Sequence, residues 1–299
     1  MHNKNTDVAN FFWVGDLTNY ELLSINSFLD NGFNVNFWTY SETLSDDSIK
    51  KIPKNISIRD ANLLIKREML FKFTQGRQKA NMSSFSNIFR YELLKENYGW
   101  WFDTDCICLK NVKYFQDLAN DKKFVIGREY KDYVGSSVMF FDDLYTLNLI
   151  TDEVEKKIAN NNYNFKWGEI GPDLITNVFH KNNLIQDTKH ESYFFKVTAK
   201  KFHILFDSNR EVAKFLQNDL KDSFVCHTWN EMFRKFLINK DLLPPKGSYL
   251  YNEMNKYGLI KKESKIYSKY LKLRFKPLIR QFVKLLSRIK VIITQFIKK

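Results

Sequence analysis

The sequence predicts an α/β fold with a mainly parallel central sheet. Residues 11–14 form a short apolar run that predicts a strand, residues 19–31 show helical spacing, and residues 34–39 predict a second strand. A strand, a helix and a strand in this order are typical of a parallel unit, because the helix carries the chain back across the sheet. Later segments continue the alternation of helices and strands.

The remaining elements follow a polar connection at residues 40–60. Apolar residues at helical spacing predict helices on both sides of a loop around Gly76, and Gly99 lies just beyond the second helical pattern, where a helix ends. The predicted helices cover residues 61–73, 83–97, 143–160 and 171–182, and the predicted strands cover residues 100–109, 123–128 and 136–141.

Two aspartates, Asp103 and Asp105, directly follow three aromatic residues at 100–102. Where a buried strand breaks into a turn at the carboxyl edge of a sheet, both carboxylates can face one hard cation such as Mn²⁺ or Mg²⁺. Asn87 and Arg90 share a face of the preceding helix, and a guanidinium suits a diphosphate. A solvated loop with two aspartates is the alternative, and the aromatic run favours the strand.

Composition limits the class of protein. The chain has 299 residues, 44% of them apolar, so it can bury a substantial core in one enlarged domain or in a domain with an extension. Its three cysteines have neither zinc-site nor disulfide spacing, which favours a reducing compartment. Residues 1–10 contain no apolar signal segment, and no apolar run of about eighteen residues predicts a spanning helix. We therefore expect a cytoplasmic protein.

Positive charge is concentrated in the C-terminal part of the chain. The net charge is +13, but residues 264–299 hold 11 Lys and Arg and no acid, against 36 basic and 34 acidic residues elsewhere. Basic and apolar residues recur there at helical spacing around Pro277, which predicts a kinked basic amphipathic helix on an anionic membrane surface. A helix packed on the body with a solvated basic face, or an oligomer contact, is the alternative.

Residues 86–105 resemble the core of glycosyltransferase family 32, the α-1,4-glycosyltransferases, and are more distantly similar to the large clostridial glucosylating toxins. In those proteins a Ser-Asp-x-x-Arg-Tyr helix precedes a Gly-Gly-x-Tyr-x-Asp-x-Asp strand. The matching positions are Ser86, Asn87, Arg90, Tyr91, Tyr98, Gly99, Asp103 and Asp105. Asn87 replaces the family's aspartate, so the nucleoside contact would be neutral, and Trp100 replaces the second glycine.

Three further motifs keep the family's order, so the resemblance covers roughly residues 8–235. Residues 11–15 resemble the first strand, whose tryptophan stacks on the nucleobase in relatives. Residues 167–176 resemble the Gly-Pro segment that leads into a helix near the donor sugar. Residues 225–230 are similar to the Val-His-x-Trp-Asn signature near the end of the catalytic domain.

The resemblance implies a GT-A-type, Rossmann-like domain at residues 1–240 that binds a nucleotide sugar. Residues 241–299 would form a linker and the basic tail. The expected cofactor is Mn²⁺ or Mg²⁺, the expected donor is a UDP-sugar, and transfer would retain the anomeric configuration. The implied metal ligands are Asp105, Asp103 and His227, with Asp105 binding directly and Asp103 directly or through water.

The resemblance also implies roles for individual residues. The implied donor-binding residues are Trp13, Val14, Asn87, Arg90, Asp103, Gly171, Pro172, His227 and Asn230, and the implied catalytic residues are Asp103, Asp105, Glu169 and Asp173. Glu169 or Asp173 would serve as a base or would stabilise a cation. Without such a residue, front-face attack guided by the leaving phosphate is the simpler picture.

Each of these residues also has a purely structural interpretation. Trp13 fits a strand core, Pro172 fits an ordinary helix start, and His227 fits a buried structural histidine. Arg90 can pair with a glutamate of its own helix. Four motifs in the family's order favour the functional interpretation over these alternatives.

We therefore predict a glycosyltransferase that acts on a glycan acceptor in surface polysaccharide or lipopolysaccharide synthesis. A lipid-linked glycan at the inner face of the cell membrane would suit a membrane-seeking tail. The alternatives are an effector that glycosylates a protein, a nucleic-acid- or membrane-binding protein that uses the tail, and a metal-dependent phosphohydrolase. A near-neutral body without a recognition motif weighs against nucleic acid. No oligomeric state is predicted.

Overall fold

The structure is a computed structural model that describes residues 5–73, 82–261 and 265–266. The chain divides into two compact units: Met1–Thr198 with Asn218–Thr228, and Ala199–Gln217 with Trp229–Lys299. The predicted boundary near residue 240 lies within the second unit, and the assignment of two domains stays a prediction.

A six-stranded sheet forms the centre of the first unit. In the order in which they lie side by side, its strands are β3 (Ser57–Asp60), β2 (Asn34–Thr39), β1 (Val8–Phe12), β4 (Trp100–Phe102), β7 (Tyr133–Phe141) and β6 (Phe124–Tyr130). The first four strands run parallel, whereas β7 is antiparallel to both β4 and β6. This arrangement confirms the predicted α/β fold with a mainly parallel central sheet.

Several helices of the first unit begin at side chains that cap them. The helices of this unit are α1 (Asn19–Asp30), α2 (Asp46–Lys51), α3 (Met69–Lys72), α4 (Met82–Lys95), α5 (Val112–Ala119), α6 (Leu144–Asn161), α7 (Pro172–Lys181) and α8 (Glu191–Phe194). Thr18 and Glu21 form a reciprocal capping box at the start of α1. Asp143 accepts backbone N–H groups at the start of α6, and Pro172 occupies the first position of α7, where its missing N–H costs nothing.

A second, two-stranded sheet also lies in the first unit. It pairs β5 (Cys106–Cys108) with the antiparallel strand β8 (Val225–His227), so that Cys106 lies opposite His227. The N–H of Thr228 donates to the carbonyl oxygen of Asp105 at 2.8 Å. This small sheet therefore brings a distant part of the chain to the end of β4.

The second unit has an aromatic core of its own. It contains α10 (Asn230–Phe236) and α11 (Tyr249–Lys256), and α9 (Arg210–Asp219) begins in it. The ring centroids of Phe206 and Phe233 are 5.2 Å apart, and those of Phe202 and Phe236 are 5.1 Å apart. Such edge-on and tilted aromatic contacts stabilise a small core.

Asn10, in the middle of β1, is a fully buried polar residue that links three strands. Its amide nitrogen donates to the carbonyl oxygens of Tyr98 at 2.8 Å and Trp100 at 3.0 Å. Its Oδ1 accepts from Asn36 Nδ2 at 3.0 Å and from Trp38 Nε1 at 2.9 Å. Because buried polar groups need partners, this network fixes β1 between β2 and β4.

Three details differ from the sequence predictions. The polar connection at 40–60 contains α2 and β3, and β3 was not predicted because all four of its residues are exposed and carry no apolar alternation. In place of a helix at 61–73 there are a 3₁₀ turn at Ala61–Leu63 and the short α3, because the Asp60 side chain accepts the Asn62 N–H. The predicted strand at 100–109 is split into β4 and β5 by the turn between them.

The predicted tail helix at 264–299 lies outside the described residues except for Lys265 and Ile266. The N–H of Leu243 donates to the carbonyl oxygen of Lys265 at 2.8 Å. In the described part of the chain, no helix has both the length and the apolar character needed to cross a membrane. The amphipathic tail stays a prediction.

We expect Asn10→Ala to lower the free energy of unfolding by about 2–4 kcal/mol, because it leaves several buried donors and acceptors without partners. Urea denaturation followed by fluorescence measures this change. Asn34→Ala is the matched control, since the Asn34 amide donates to the exposed Asp7 carboxylate. We expect the control to change stability by less than about 0.5 kcal/mol. Equal losses in both variants would contradict the role of Asn10.

Candidate functional site

Arg90 is 4% exposed and connects α4 to two other elements. Its Nη1 donates to the carbonyl oxygen of Ser136 in β7 at 2.5 Å, and its Nη2 donates to Asp103 Oδ1 at 2.9 Å. The guanidinium carbon also lies 5.0 Å from the centroid of the Trp101 ring. Arg90 therefore pairs with Asp103, and Glu92 of its own helix pairs with Lys95 instead.

Asp103 directly follows β4 and is held in a defined orientation. Its Oδ1 accepts from Arg90 and from Trp101 Nε1, each at 2.9 Å. Its backbone N–H donates to the carbonyl oxygen of Ser137 at 2.8 Å. The side chain is still 26% exposed. Asp103 is thus anchored through one oxygen while part of the carboxylate stays accessible to a ligand.

Asp105 and His227 lie in contact on the small sheet. Asp105 is 9% exposed, and its Oδ1 lies 3.2 Å from His227 Nε2, which also lies 2.9 Å from Ser137 Oγ. Burial lowers the pKa of His227, but the charge and hydrogen bond of Asp105 and the charges of Asp103 and Glu129 together raise it more, so the pKa lies above its ordinary value. The imidazole ring packs against Phe195, with the ring centroids 5.7 Å apart.

Asp105, Cys106 and His227 present atoms that lie within 4.8 Å of one another and have the chemistry of metal ligands. Burial, followed by the charges of Asp105 and Asp103, raises the pKa of the Cys106 thiol well above its ordinary value. A carboxylate oxygen and an imidazole nitrogen suit a divalent cation such as Mn²⁺, whereas a thiolate suits softer ions such as Zn²⁺, so the carboxylate and the imidazole are the principal donors here. This donor set fits Mn²⁺ better than Mg²⁺, because Mg²⁺ prefers oxygen ligands alone.

Trp13 and Val14 lie just beyond the end of β1. The Trp13 N–H continues the pairing with β2 by donating to the carbonyl oxygen of Trp38 at 3.1 Å, and the indole Nε1 donates to the carbonyl oxygen of Asp16 at 3.1 Å. Trp13 is half-buried, and Val14 packs against the hydrophobic core. Trp13 therefore keeps exposed surface at the sheet edge, as a stacking residue requires.

Asn87 and Gly171 approach each other closely. Asn87 is buried in α4, and a Cβ on Gly171 would lie 2.5 Å from its Nδ2. Only glycine fits at this position, directly before Pro172 and α7. The Tyr91 hydroxyl donates to the carbonyl oxygen of Ile170 at 3.0 Å. The Ser86–Tyr91 segment and the Gly-Pro segment, separate in the sequence, are therefore packed together.

The two carboxylates predicted as further catalytic groups have different surroundings. Asp173, in the first turn of α7, accepts from the Tyr133 hydroxyl at 2.7 Å. Glu169 accepts from Asn161 Nδ2 at 3.0 Å and from the Lys166 N–H at 2.9 Å, and backbone hydrogen bonding lowers its pKa. Both catalytic assignments stay predictions, and Glu169 is bound to residues of α6 and its own loop.

Glu129, near the end of β6, is a carboxyl group that the sequence analysis missed. It is half-buried, and its charge interacts with those of His227, Asp103 and Asp173. Burial is the main cause that raises the pKa of Glu129 to about 7. Its position in a strand rather than in a recognised motif concealed it. The sequence carried no signal for it, because Glu129 lies just beyond the predicted strand at 123–128 and next to another charged residue, Arg128.

Asn230 belongs to the second unit, where it is the first residue of α10. Trp229 before it has a left-handed backbone with φ 65°, which is uncommon for a residue other than glycine. The predicted contact of Asn230 with the donor stays a prediction.

Residues 155–243 match the family described as the Alpha 1,4-glycosyltransferase conserved region. The match confirms the predicted resemblance. The protein is a glycosyltransferase. The matched region includes Gly171, Pro172, Asp173 and His227, whereas Asp103 and Asp105 precede it.

Among solved structures, the chain is similar to one titled PaToxG Glycosyltransferase, with 14% sequence identity and a TM-score of 0.43, over 84% of this chain and 87% of that chain. No curated protein sequence matches the chain.

We expect Arg90→Lys to lower the free energy of unfolding by about 1–3 kcal/mol, because a lysine cannot bind both Ser136 and Asp103 as the guanidinium does. Chemical denaturation measures the loss. Arg67→Lys is the matched control, since Arg67 pairs with Glu42 at the surface, where ion pairs contribute little. Similar small effects in both variants would show that the Arg90 contacts are not required to hold α4.

Proposed function

We propose that this glycosyltransferase is metal-dependent and takes its sugar from a nucleotide sugar, a UDP-sugar. The observation that carries the proposal is the pair of Asp105 and His227, next to an Asp103 that Arg90 orients. The pair supplies oxygen and nitrogen ligands, and we assign Mn²⁺ to it, with Asp103 binding directly or through water.

The position of the residues in the sheet supports a nucleotide donor. β1 and β4 are parallel neighbours, and Trp13 and Asp103 directly follow them. Both residues therefore lie at the carboxyl edge of the sheet, where open α/β sheets bind their ligands. We assign Trp13, with Val14 beside it, to the nucleobase and Asn87 to the nucleoside. Arg90 would act on the diphosphate and sugar largely by positioning Asp103.

The charges of this region support metal dependence. Asp103, Asp105, Asp173 and Glu129 bring four carboxyl groups together, and Arg90 supplies one permanent positive charge. A diphosphate would be repelled by such a group of carboxylates unless a cation compensated their charge. When bound, the cation would stabilise the negative charge that grows on the leaving diphosphate.

The start of α7 supports a donor-sugar contact at Gly171 and Pro172. The N–H groups of Gly171 and Asp173 both donate to the carbonyl oxygen of Gly168, at 2.9 and 3.1 Å, so the packing of Gly171 carries this assignment rather than a free N–H group. Gly171 packs against Asn87, which we assign to the nucleoside, so both would lie beside one donor. We propose retention of configuration, as the family resemblance implies, with Asp173 nearer to the transferred sugar than Glu169.

We propose a glycan acceptor, linked to lipid, in the synthesis of surface polysaccharide or lipopolysaccharide. The basic and apolar residues of 264–299 support a peripheral position at the inner, anionic face of the cell membrane. The acceptor would then be presented at the surface to which the tail binds.

We expect Asp105→Ala to lower Mn²⁺-dependent release of UDP from UDP-sugars at least about 100-fold, because it removes the central metal ligand. Turnover of a panel of UDP- and GDP-sugars with Mn²⁺ measures this effect. Calorimetry with Mn²⁺ and UDP should show that binding is weakened in parallel.

Asp47→Ala is the matched control, because Asp47 is exposed and pairs with Lys51 at the surface. We expect the control to keep wild-type turnover. The proposed function fails if the wild-type protein neither binds nor hydrolyses any sugar nucleotide of the panel with Mn²⁺.

We expect deletion of residues 264–299 to abolish most binding to vesicles that contain phosphatidylserine, while UDP binding stays unchanged. Each basic residue near such a surface contributes about 1 kcal/mol to the free energy of membrane binding, so the loss of binding should be large. Binding of the wild-type protein should weaken with added salt. Vesicle cosedimentation measures it. Unchanged cosedimentation of the shortened protein would rule out the tail as the anchor.

A further inference from the structure

We propose that Glu129 is a catalytic carboxyl that faces the transferred sugar and stabilises the positive charge that develops at its anomeric carbon. The proposal rests on the proposed function, since it requires a nucleotide-sugar donor bound beside Asp103. It assigns the catalytic carboxyl to a residue other than Glu169 and Asp173.

The strand pair β6 and β7 is shaped around the Glu129 side chain. The pairing shifts register twice, between Ile126 and Arg128 and between Arg128 and Tyr130, so Glu129 lies within an irregular segment. A Cβ on Gly135 would lie 2.8 Å from Glu129 Cγ and 2.4 Å from Phe195 Cζ. A glycine at 135 thus makes room for both side chains. Bulges of this kind re-aim side chains beside active sites.

β7 carries the contacts of the site on consecutive residues. Ser136 accepts from Arg90, and Ser137 contacts both His227 and the N–H of Asp103. Gly135, the next residue towards the start of the strand, is the one over which Glu129 lies. Glu129, on the neighbouring strand β6, therefore lies next to this row of site residues.

The Glu129 carboxyl has no hydrogen bond or ion pair with any residue in the described ranges 5–73, 82–261 and 265–266. Three other carboxyl groups of the site do have partners: Asp103 pairs with Arg90, Asp105 with His227 and Asp173 with Tyr133. A half-buried carboxyl without a partner is costly for folding, and such costs are typical of functional sites. Hydroxyl groups of a bound sugar would supply the missing donors.

Charged and titratable groups surround Glu129 on several neighbouring elements. They are Asp103 after β4, Tyr133 in β7, Asp173 in α7 and His227 in β8. Burial mainly raises the pKa of Glu129 to about 7, His227 opposes this rise, and Asp103 and Asp173 add to it. Above this pKa the carboxylate is ionised and able to stabilise positive charge.

The reaction balances without a change of charge on Glu129. The bond between the anomeric carbon and the diphosphate oxygen breaks, and its electron pair leaves with the diphosphate. The acceptor oxygen bonds to the anomeric carbon, and its proton passes to the diphosphate. While the old bond is broken and the new one incomplete, the sugar is positively charged, and a fixed carboxylate lowers the energy of that state.

The test compares the full-length wild-type protein with Glu129→Gln and Glu129→Asp. UDP with Mn²⁺ is the binding probe, and hydrolysis of the panel of UDP- and GDP-sugars, with water as acceptor, is the catalytic probe. We expect Glu129→Gln to bind UDP within about twofold of wild type and to lower kcat for hydrolysis about 100-fold. Glu129→Asp should recover part of the rate. Glu155→Gln, an exposed site in α6, is the matched control.

The dependence of kcat on pH is a second measurement, and it would not change if Glu129 had only a structural role. We expect the wild-type kcat to fall as pH drops below the Glu129 pKa of about 7 and this limb to be absent in Glu129→Gln. A carboxyl whose pKa is raised on folding destabilises the native state as pH rises. The thermal midpoint of wild type should therefore fall relative to that of Glu129→Gln between pH 5 and pH 8.

Hydrolysis by Glu129→Gln within about twofold of wild type would overturn the proposal and leave the proposed function intact. A lost pH limb in Glu155→Gln would also overturn it. Failure of the wild-type protein to bind UDP or to hydrolyse any donor would overturn the proposed function, and the role of Glu129 with it.

Discussion

The buried guanidinium of Arg90 is the constraint on which the candidate site depends. A buried charge is tolerated only when it is paired and hydrogen-bonded, and Arg90 meets this condition with Asp103 and the carbonyl oxygen of Ser136. These partners belong to different parts of the chain, 13 and 46 residues away. Satisfying Arg90 therefore fixes α4, the end of β4 and the start of β7 together, and it orients Asp103 before any ligand arrives.

The antiparallel strand β7 adds several further residues to the site that Arg90 and Asp103 begin. In the parallel part of the sheet, only strand ends reach the ligand edge, so each strand contributes the residues that directly follow it. β7 runs the other way beside β4, so its first half lies along that edge and offers several residues in sequence. Ser136 and Ser137 contact Arg90, Asp103 and His227 in this way.

Local patterns made the centre of the site predictable. Arg90 and Asp103 lie on a helix and a strand that follow each other, and the family resemblance implied that both belong to the donor site, although their direct pairing was not predicted. The contact of His227 with Asp105 depends on the pairing of β5 with β8, and only the order of the motifs pointed to it. β3 and Glu129 escaped prediction for a common reason: polar residues in strands give no periodic signal, and only the folded neighbours reveal their place.

The distribution of partners among the carboxyl groups separates their roles. Asp103 is fixed by Arg90 and Trp101, Asp105 by His227, and Glu169 by Asn161 and Lys166. A carboxylate whose acceptors are already filled gains little from a substrate hydroxyl, because the new hydrogen bond replaces an existing one. A carboxyl group without such partners gains the full stabilisation of a new hydrogen bond from a substrate hydroxyl. A sugar hydroxyl therefore gains most from a hydrogen bond to Glu129. Asp103 and Asp105 suit a cation instead, because a carboxylate oxygen that already accepts a hydrogen bond can still coordinate a metal ion.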